Sequence, residues 1–231
     1  MSTLVKETLA FKLKTAIVDG RLSPGERVVE GAWAKTFGVA QASVREAINL
    51  LIADGFLVKN AGRSARVPNY TEEDIGRIYQ VRAALEGLAA GLAAERRADL
   101  SEMEAALGEM EAAAAGEDLR ALVNHDLEFH LALARASGNP LLTEMIERLL
   151  RPLFTFVLLR VMAKQESTVK WASDMPRHRE IIYLIRESSP AVARQFMEFC
   201  TGQFVASAQA VWAPAQASRW VKGRSEVDPS C

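Results

Sequence analysis

Phe37-Gly38-Val39-Ala40-Gln41-Ala42-Ser43-Val44-Arg45-Glu46-Ala47 is the stretch that decides the fold. Gly38 breaks a short helix that starts at Glu30, and a second helix starts at Gln41 and runs to Asp54, where Gly55 closes it. Within that second helix Val44, Ala47, Ile48 and Leu51 fall on one side at helical spacing, while Gln41, Ser43 and Arg45 place polar groups at its beginning. Two short helices joined by a tight glycine turn, the second with a polar start, suit insertion into the major groove of DNA.

Working outward, Leu4, Leu9, Leu13, Ala16 and Ile17 give Thr3–Asp19 one apolar face, so a further helix precedes the pair. On the other side the pattern changes. Phe56-Leu57-Val58-Lys59 is strand-like, Asn60-Ala61-Gly62 is a turn, and residues 63–67 resemble a returning strand that ends at Pro68. Three helices and a small hairpin outline a winged helix-turn-helix over residues 1–68. Gln41 can pair with adenine and Arg45 with guanine or phosphate, while Arg63 and Arg66 on the hairpin can reach phosphate or the minor groove. Charge points the same way. Residues 1–68 hold ten Lys and Arg against six Asp and Glu, a net of +4, and the remainder holds 18 against 23, a net of −5, within a whole-chain net of −1. A basic head on an acidic body suits a phosphate-binding module.

Pro68-Asn69-Tyr70 reads as a connection, so residues 69–71 are the expected linker. Thr71-Glu72-Glu73-Asp74 then begins a helix with a capping-box pattern. From there only helices are expected, at about 72–97, 101–115, 118–136, 140–163, 174–187 and 190–212, in an all-α domain covering 72–212. The breaks are Gly116, Gly138-Asn139-Pro140 and Ser188-Ser189-Pro190, the last two with a polar cap before a proline at the first helical turn. Pro152 is expected to kink its helix. Residues 213–231 read as a frayed tail. The fold class is mainly α: a winged helix-turn-helix plus a helical bundle.

Two cysteines, Cys200 and Cys231, offer no disulfide framework. The apolar run 153–163 is interrupted by Arg160 and is shorter than the ~20 residues a membrane crossing needs. A cytoplasmic location and no membrane partner are expected.

Asp126 and His130 are four residues apart, so they share one helix face and can grip one ion. His178 lies on another helix and Cys200 on the last. A carboxylate, two imidazoles and a thiolate converging in a bundle would suit zinc. The same residues also read as a surface pair, a core histidine and a small buried hydrophobe. His125, adjacent to Asp126, points off the shared face and reads as solvated. Asp, His and His around an open position could activate water, so a metal-dependent hydrolase is the alternative from another class. The reading adopted is that of a binding protein with no catalytic residues.

Pro24-Gly25-Glu26-Arg27-Val28-Val29-Glu30, the helix pair above and Leu51-Ile52-Ala53-Asp54-Gly55-Phe56-Leu57 resemble the GntR family winged helix over roughly residues 5–68. Val44-Arg45-Glu46-Ala47 with Asp54-Gly55 downstream is the specific part. Val81-Arg82-Ala83-Ala84-Leu85-Glu86, Asp126-Leu127-Glu128-Phe129-His130, Ser137-Gly138-Asn139-Pro140-Leu141 and His178-Arg179-Glu180-Ile181-Ile182 are similar to the FCD effector domain of the FadR-like branch. The resemblance implies DNA contact by Arg45, a wing tip at Gly62, and metal ligands at Asp126, His130 and His178. The fourth family ligand is a histidine, and Cys200 stands in its place, so the site has either a thiolate or three ligands. Where the family has Ser-Arg this chain has Ala40-Gln41, and Gly31 stands where an arginine often contacts DNA. The resemblance further implies a homodimeric repressor that binds an operator and is released by a small carboxylate. Arg82 is a candidate for that carboxylate, or else a salt-bridge partner of Glu86. A metalloregulator sensing the ion itself is the alternative within the class.

Overall fold

The computed structural model describes residues 2–59, 64–164 and 175–212. Nine helices are present among them: α1 Ser2–Val18, α2 Glu30–Phe37, α3 Gln41–Ala53, α4 Glu72–Glu95, α5 Ser101–Ala115, α6 Leu119–Ala136, α7 Pro140–Lys164, α8 Met175–Glu187 and α9 Pro190–Trp212. Every expected helix is found within two residues of its expected ends.

Two compact units emerge. The first comprises Met1–Asn69 together with Arg151–Leu159. Its core is built from Leu9, Leu13, Ala16 and Ile17 of α1 and Val44, Ala47, Ile48 and Leu51 of α3, all buried. Leu159 joins this core, so the head takes one apolar side chain from far along the sequence. α2 ends on Gly38, whose φ of 64° is left-handed, and its cap amide bonds back to Lys35 while Val39 bonds to Ala34. Glycine adopts this turn without the Cβ penalty other residues meet. The turn therefore sets the angle between α2 and α3.

The wing is more economical than the sequence suggests. Among the described residues it contains isolated bridges rather than two full strands: Val58 pairs with Arg66, and Arg66 with Arg27, both antiparallel. The returning segment is nonetheless held on both sides. Val58 and Arg66 exchange amide hydrogen bonds of 2.8 and 2.9 Å, Val28 donates to Ala65 at 2.9 Å, and Val67 donates to Glu26 at 3.0 Å. Gly62 and Arg63 lie outside the described residues.

The second unit holds Tyr70–Leu150 and Arg160–Ala213. α4 begins with the expected capping box. The Thr71 hydroxyl accepts the Asp74 amide at 3.1 Å, and Asp74 accepts the Thr71 amide at 3.0 Å. Alanine and glycine at 87, 89, 90, 91, 93 and 94 are buried, which lets α9 pack closely on α4. α4 also packs on α6 and α8, and α5 lies on both α6 and α8. α7 runs through Pro152 as one element.

The turn from α6 to α7 is closed by its own side chains. The Ser137 hydroxyl donates to Ala134, Asn139 accepts the Leu142 amide at 3.2 Å, and Pro140 takes the first helical position. Gly138 has a φ of 65°, and an added Cβ would meet the Arg96 guanidinium. Gly138→Ala is expected to cost about 1–2 kcal/mol, the penalty of a left-handed L-residue, and to lower the thermal midpoint by a few degrees in a calorimetric scan. An unchanged midpoint would mean that the turn relaxes.

Candidate metal centre and DNA-reading head

α6 carries Asp126 and His130 one turn apart, and α8 carries His178. The structure brings the three together. His178 Nε2 lies 3.1 Å from Asp126 Oδ1, and His130 Nε2 lies 3.4 Å from the same oxygen. One ligand atom from each residue falls within 4.8 Å of the others. A tetrahedral zinc ion with bonds of about 2.0–2.1 Å needs neighbouring donors roughly 3.3 Å apart. The 3.1 and 3.4 Å separations bracket that value and the third pair lies within 4.8 Å, so the donor set can close on such an ion. Phe129 packs edge-on against both imidazoles, with centroids 5.6 Å from His130 and 4.7 Å from His178. It limits how far either ring can rotate.

Asp126 and His130 are buried and His178 is partly so. Burial opposes the charge of Asp126, but hydrogen bonds from His130 and His178 outweigh it and hold the carboxyl far below the usual carboxylate range. Burial likewise opposes a charged His130, yet Glu86 and Asp126 outweigh it and raise its pKa. The group therefore draws positive charge inward, supplied by a proton or by a metal ion.

Behind His130 stands a residue that the sequence offered only as the helix neighbour of Arg82. Glu86 is fully buried, with Oε1 3.1 Å from His130 Nδ1 and Oε2 3.1 Å from Arg82 Nε. The Thr201 hydroxyl of α9 approaches Oε2 at 3.5 Å. Burial disfavours the Glu86 charge, but Arg82 and then His130 overcome it and hold its pKa below the ordinary value. Arg82 is buried too, and lies 5.2 Å from the Tyr79 ring centroid. Its salt-bridge role is thus observed. Cys200 is half-buried on α9 and outside the three-residue group, whereas its neighbour Thr201 reaches toward Glu86. His125 is half-buried rather than solvated, and it too is outside the group.

In the head, α3 exposes Gln41 and Arg45 and half-buries Ser43. Arg45 is held by Glu30, the first residue of α2, through Nε at 3.0 Å and Nη2 at 2.8 Å. Gln41 Nε2 reaches the same carboxylate oxygen at 3.4 Å. The Arg45 hydrogen bond holds the Glu30 carboxyl below its usual pKa. Arg66 donates to the Gly25 carbonyl at 2.9 Å, which fixes it beside the turn that opens the wing.

A winged helix-turn-helix followed by a helical bundle with an interior Asp-His-His group defines a class: a DNA-binding head on a ligand-binding body. The chain belongs to the gntR family of bacterial regulatory proteins, matched over residues 5–67, with an FCD domain matched over residues 77–199. It is 33% identical over 139 residues to the uncharacterized HTH-type transcriptional regulator YdhC of Bacillus subtilis, covering 59% of this chain and 62% of that protein. It is 29% identical over 195 residues to a probable D-xylose utilization operon transcriptional repressor of Paenarthrobacter nicotinovorans, covering 82% and 84%. The match to McbR of Escherichia coli is 31% over 139 residues, 59% of this chain and 63% of that protein. The matched part thus spans less than two thirds of YdhC and of McbR. A solved structure of McbR shares the fold with a TM-score of 0.69 at 22% identity, covering 90% of this chain and 99% of that one. A GntR regulator structure from Rhodococcus sp. RHA1 gives 0.68 at 24%, with the same coverage.

Exposed ion pairs add little to stability, and side-chain exposure is 58% for Arg45 and 20% for Glu30. Arg45→Ala and Glu30→Ala should each leave the thermal midpoint unchanged within error. A clear drop in either melt would show that the pair braces the helices.

Proposed function

We propose that this chain is a ligand-responsive transcription regulator, a homodimeric cytoplasmic repressor that leaves its operator when a small carboxylate binds the helical domain. Residues 1–68 bind DNA and 72–212 bind the effector, joined by 69–71, with 213–231 as a tail. The observation that carries the sensing half is the convergence of Asp126, His130 and His178 on one point inside a domain that belongs to a regulator family. These three residues would hold one divalent ion, zinc by the donor set. The ion supplies a Lewis-acidic point of attachment for a carboxylate oxygen. The protein's part is to bind and orient that carboxylate, which is released unchanged, so the site is not catalytic. Arg82 is the second candidate for the effector carboxylate, which would reach it in competition with Glu86. The geometry favours a three-ligand site, since Cys200 is outside the group.

On the DNA side, Gln41, Ser43 and Arg45 would read base edges, and Gly62, Arg63 and Arg66 would follow the backbone from the wing. A single winged helix covers few base pairs, so two heads on a twofold site are needed for specific affinity.

Protein purified from zinc-supplemented culture should carry one ion per chain by elemental analysis. Stripping the ion should lower the thermal midpoint, because a ligand present at 100 times its Kd adds about 2.7 kcal/mol to the folded state. His130→Ala and His178→Ala should each abolish the ion, whereas Cys200→Ser should leave affinity unchanged. Wild-type protein without metal under these conditions would sink the metal reading.

Operator fragments selected from random DNA by wild-type protein should be lost by Arg45→Ala, with fold and oligomeric state intact. Wild-type affinity for them should fall steeply with salt as counterions are released. Normal capture by Arg45→Ala would refute the assignment of α3.

A further inference from the structure

We propose that Glu86, anchored by Arg82, is a positioning residue of the metal site: it keeps the His130 proton on Nδ1 and so presents Nε2 to the ion. The inference rests on the metal reading above and assigns a role to two residues outside the ligand set.

An imidazole can ligate a metal through one nitrogen only when the other carries the proton, and the partner of that second nitrogen decides which tautomer forms. Here the two faces of His130 are different. Nε2 faces Asp126 at 3.4 Å and the point shared with His178. Nδ1 faces Glu86 Oε1 at 3.1 Å, and both atoms are sealed from solvent. The contact is an ion-pair approach rather than a straight hydrogen bond, and the negative potential of a carboxylate at this distance favours a proton on the nearer nitrogen.

A carboxylate buried this deeply stays charged only with compensation. Arg82 provides it from the preceding turn of α4, through Nε at 3.1 Å. The Thr201 hydroxyl approaches the same Oε2, which leaves Oε1 turned to His130. The geometry is a chain from Arg82 through Glu86 and His130 to the ion position.

The test uses full-length protein and zinc alone. Glu86→Gln leaves Arg82 buried without its anion and can fail to fold, so the decisive variant is Arg82→Met combined with Glu86→Gln, which removes both charges together. Loss of an outer-shell partner typically costs ~10–100-fold in metal affinity. Zinc affinity of the double variant, measured by competition with a chromophoric chelator, should fall by that amount while its circular dichroism stays native. In the zinc-loaded wild type, 15N-resolved NMR of the imidazoles should place the His130 proton on Nδ1, protected from exchange. Wild-type zinc affinity in the natively folded double variant, or zinc on Nδ1 of His130, overturns the inference while the three-ligand site stands. Absence of zinc from wild-type protein overturns both.

Discussion

The second unit is organised around one buried carboxylate. Asp126 is nearly inaccessible and receives two imidazoles on a single oxygen, one from its own helix and one from α8. A lone anion in such a place would be expelled or protonated. It is tolerated because two imidazole nitrogens face one of its oxygens and a proton or a metal ion can supply the positive charge. α6 presents its residues at a spacing of four, α8 supplies His178, and Phe129 holds both rings on edge. The packing of α4 against α6 and α8 follows the same requirement, since α4 delivers Glu86 and Arg82 to the far side of His130. Basic and acidic side chains alternate through the cluster: Arg82, Glu86, His130, Asp126, His178. Removing one member leaves its neighbours uncompensated, so the cluster acts as a unit.

The head relies on a different economy. Its core is an ordinary apolar seam between α1 and α3, closed by the left-handed turn at Gly38. The described part of the wing forms isolated bridges, yet its amides bond to both flanking segments. Leu159, from α7, completes this core. The head is thus not made from residues 1–68 alone, and a fragment cut there would lose a buried side chain.

Most of the helical architecture was legible because it depends on local signals. The Thr71 box, the Asn139-Pro140 start and the Gly38 stop are written within four residues of the feature they produce. The candidate ligands were only partly legible in this way: the spacing of Asp126 and His130 fixes a shared face, whereas His178, on a distant helix, was singled out by what the resemblance implies. What could not be read depends on long-range placement. Nothing local says that Leu159 belongs to the head. Glu86 was visible as the fourth residue after Arg82, but which way the pair faced required the position of α6. Cys200 and Thr201 show the same limit. The resemblance points to position 200, while the helix turns position 201 toward Glu86, and one residue is about 100° of rotation. Among the described residues, 56–59 and 64–67 form single bridges rather than full strands, because the third segment, 25–28, shares the bonding.

The pairing of Arg45 with Glu30 bears on what the head can recognise. A carboxylate next to DNA phosphates is unfavourable on its own, and a guanidinium already paired with one contributes little net charge at a distance. On the proposed reading, Arg45 would therefore be a poor generic phosphate anchor and a better directional donor. Two of its donor groups and one Gln41 amide are drawn to a single oxygen of Glu30, which fixes the two side chains relative to each other before any DNA arrives. Ordering long side chains on binding costs about 0.5–1.5 kcal/mol each, and prior ordering reduces that cost. The sequence departs from its family at Ala40-Gln41 and Gly31, where arginines would add sequence-independent charge. With fewer such charges, the discrimination of bases would depend more heavily on the geometry that Glu30 imposes. Residues 1–68 keep a net charge of +4, which would draw the head toward DNA, and on the proposed reading the choice among sequences would fall to the small, pre-ordered cluster at the start of α3.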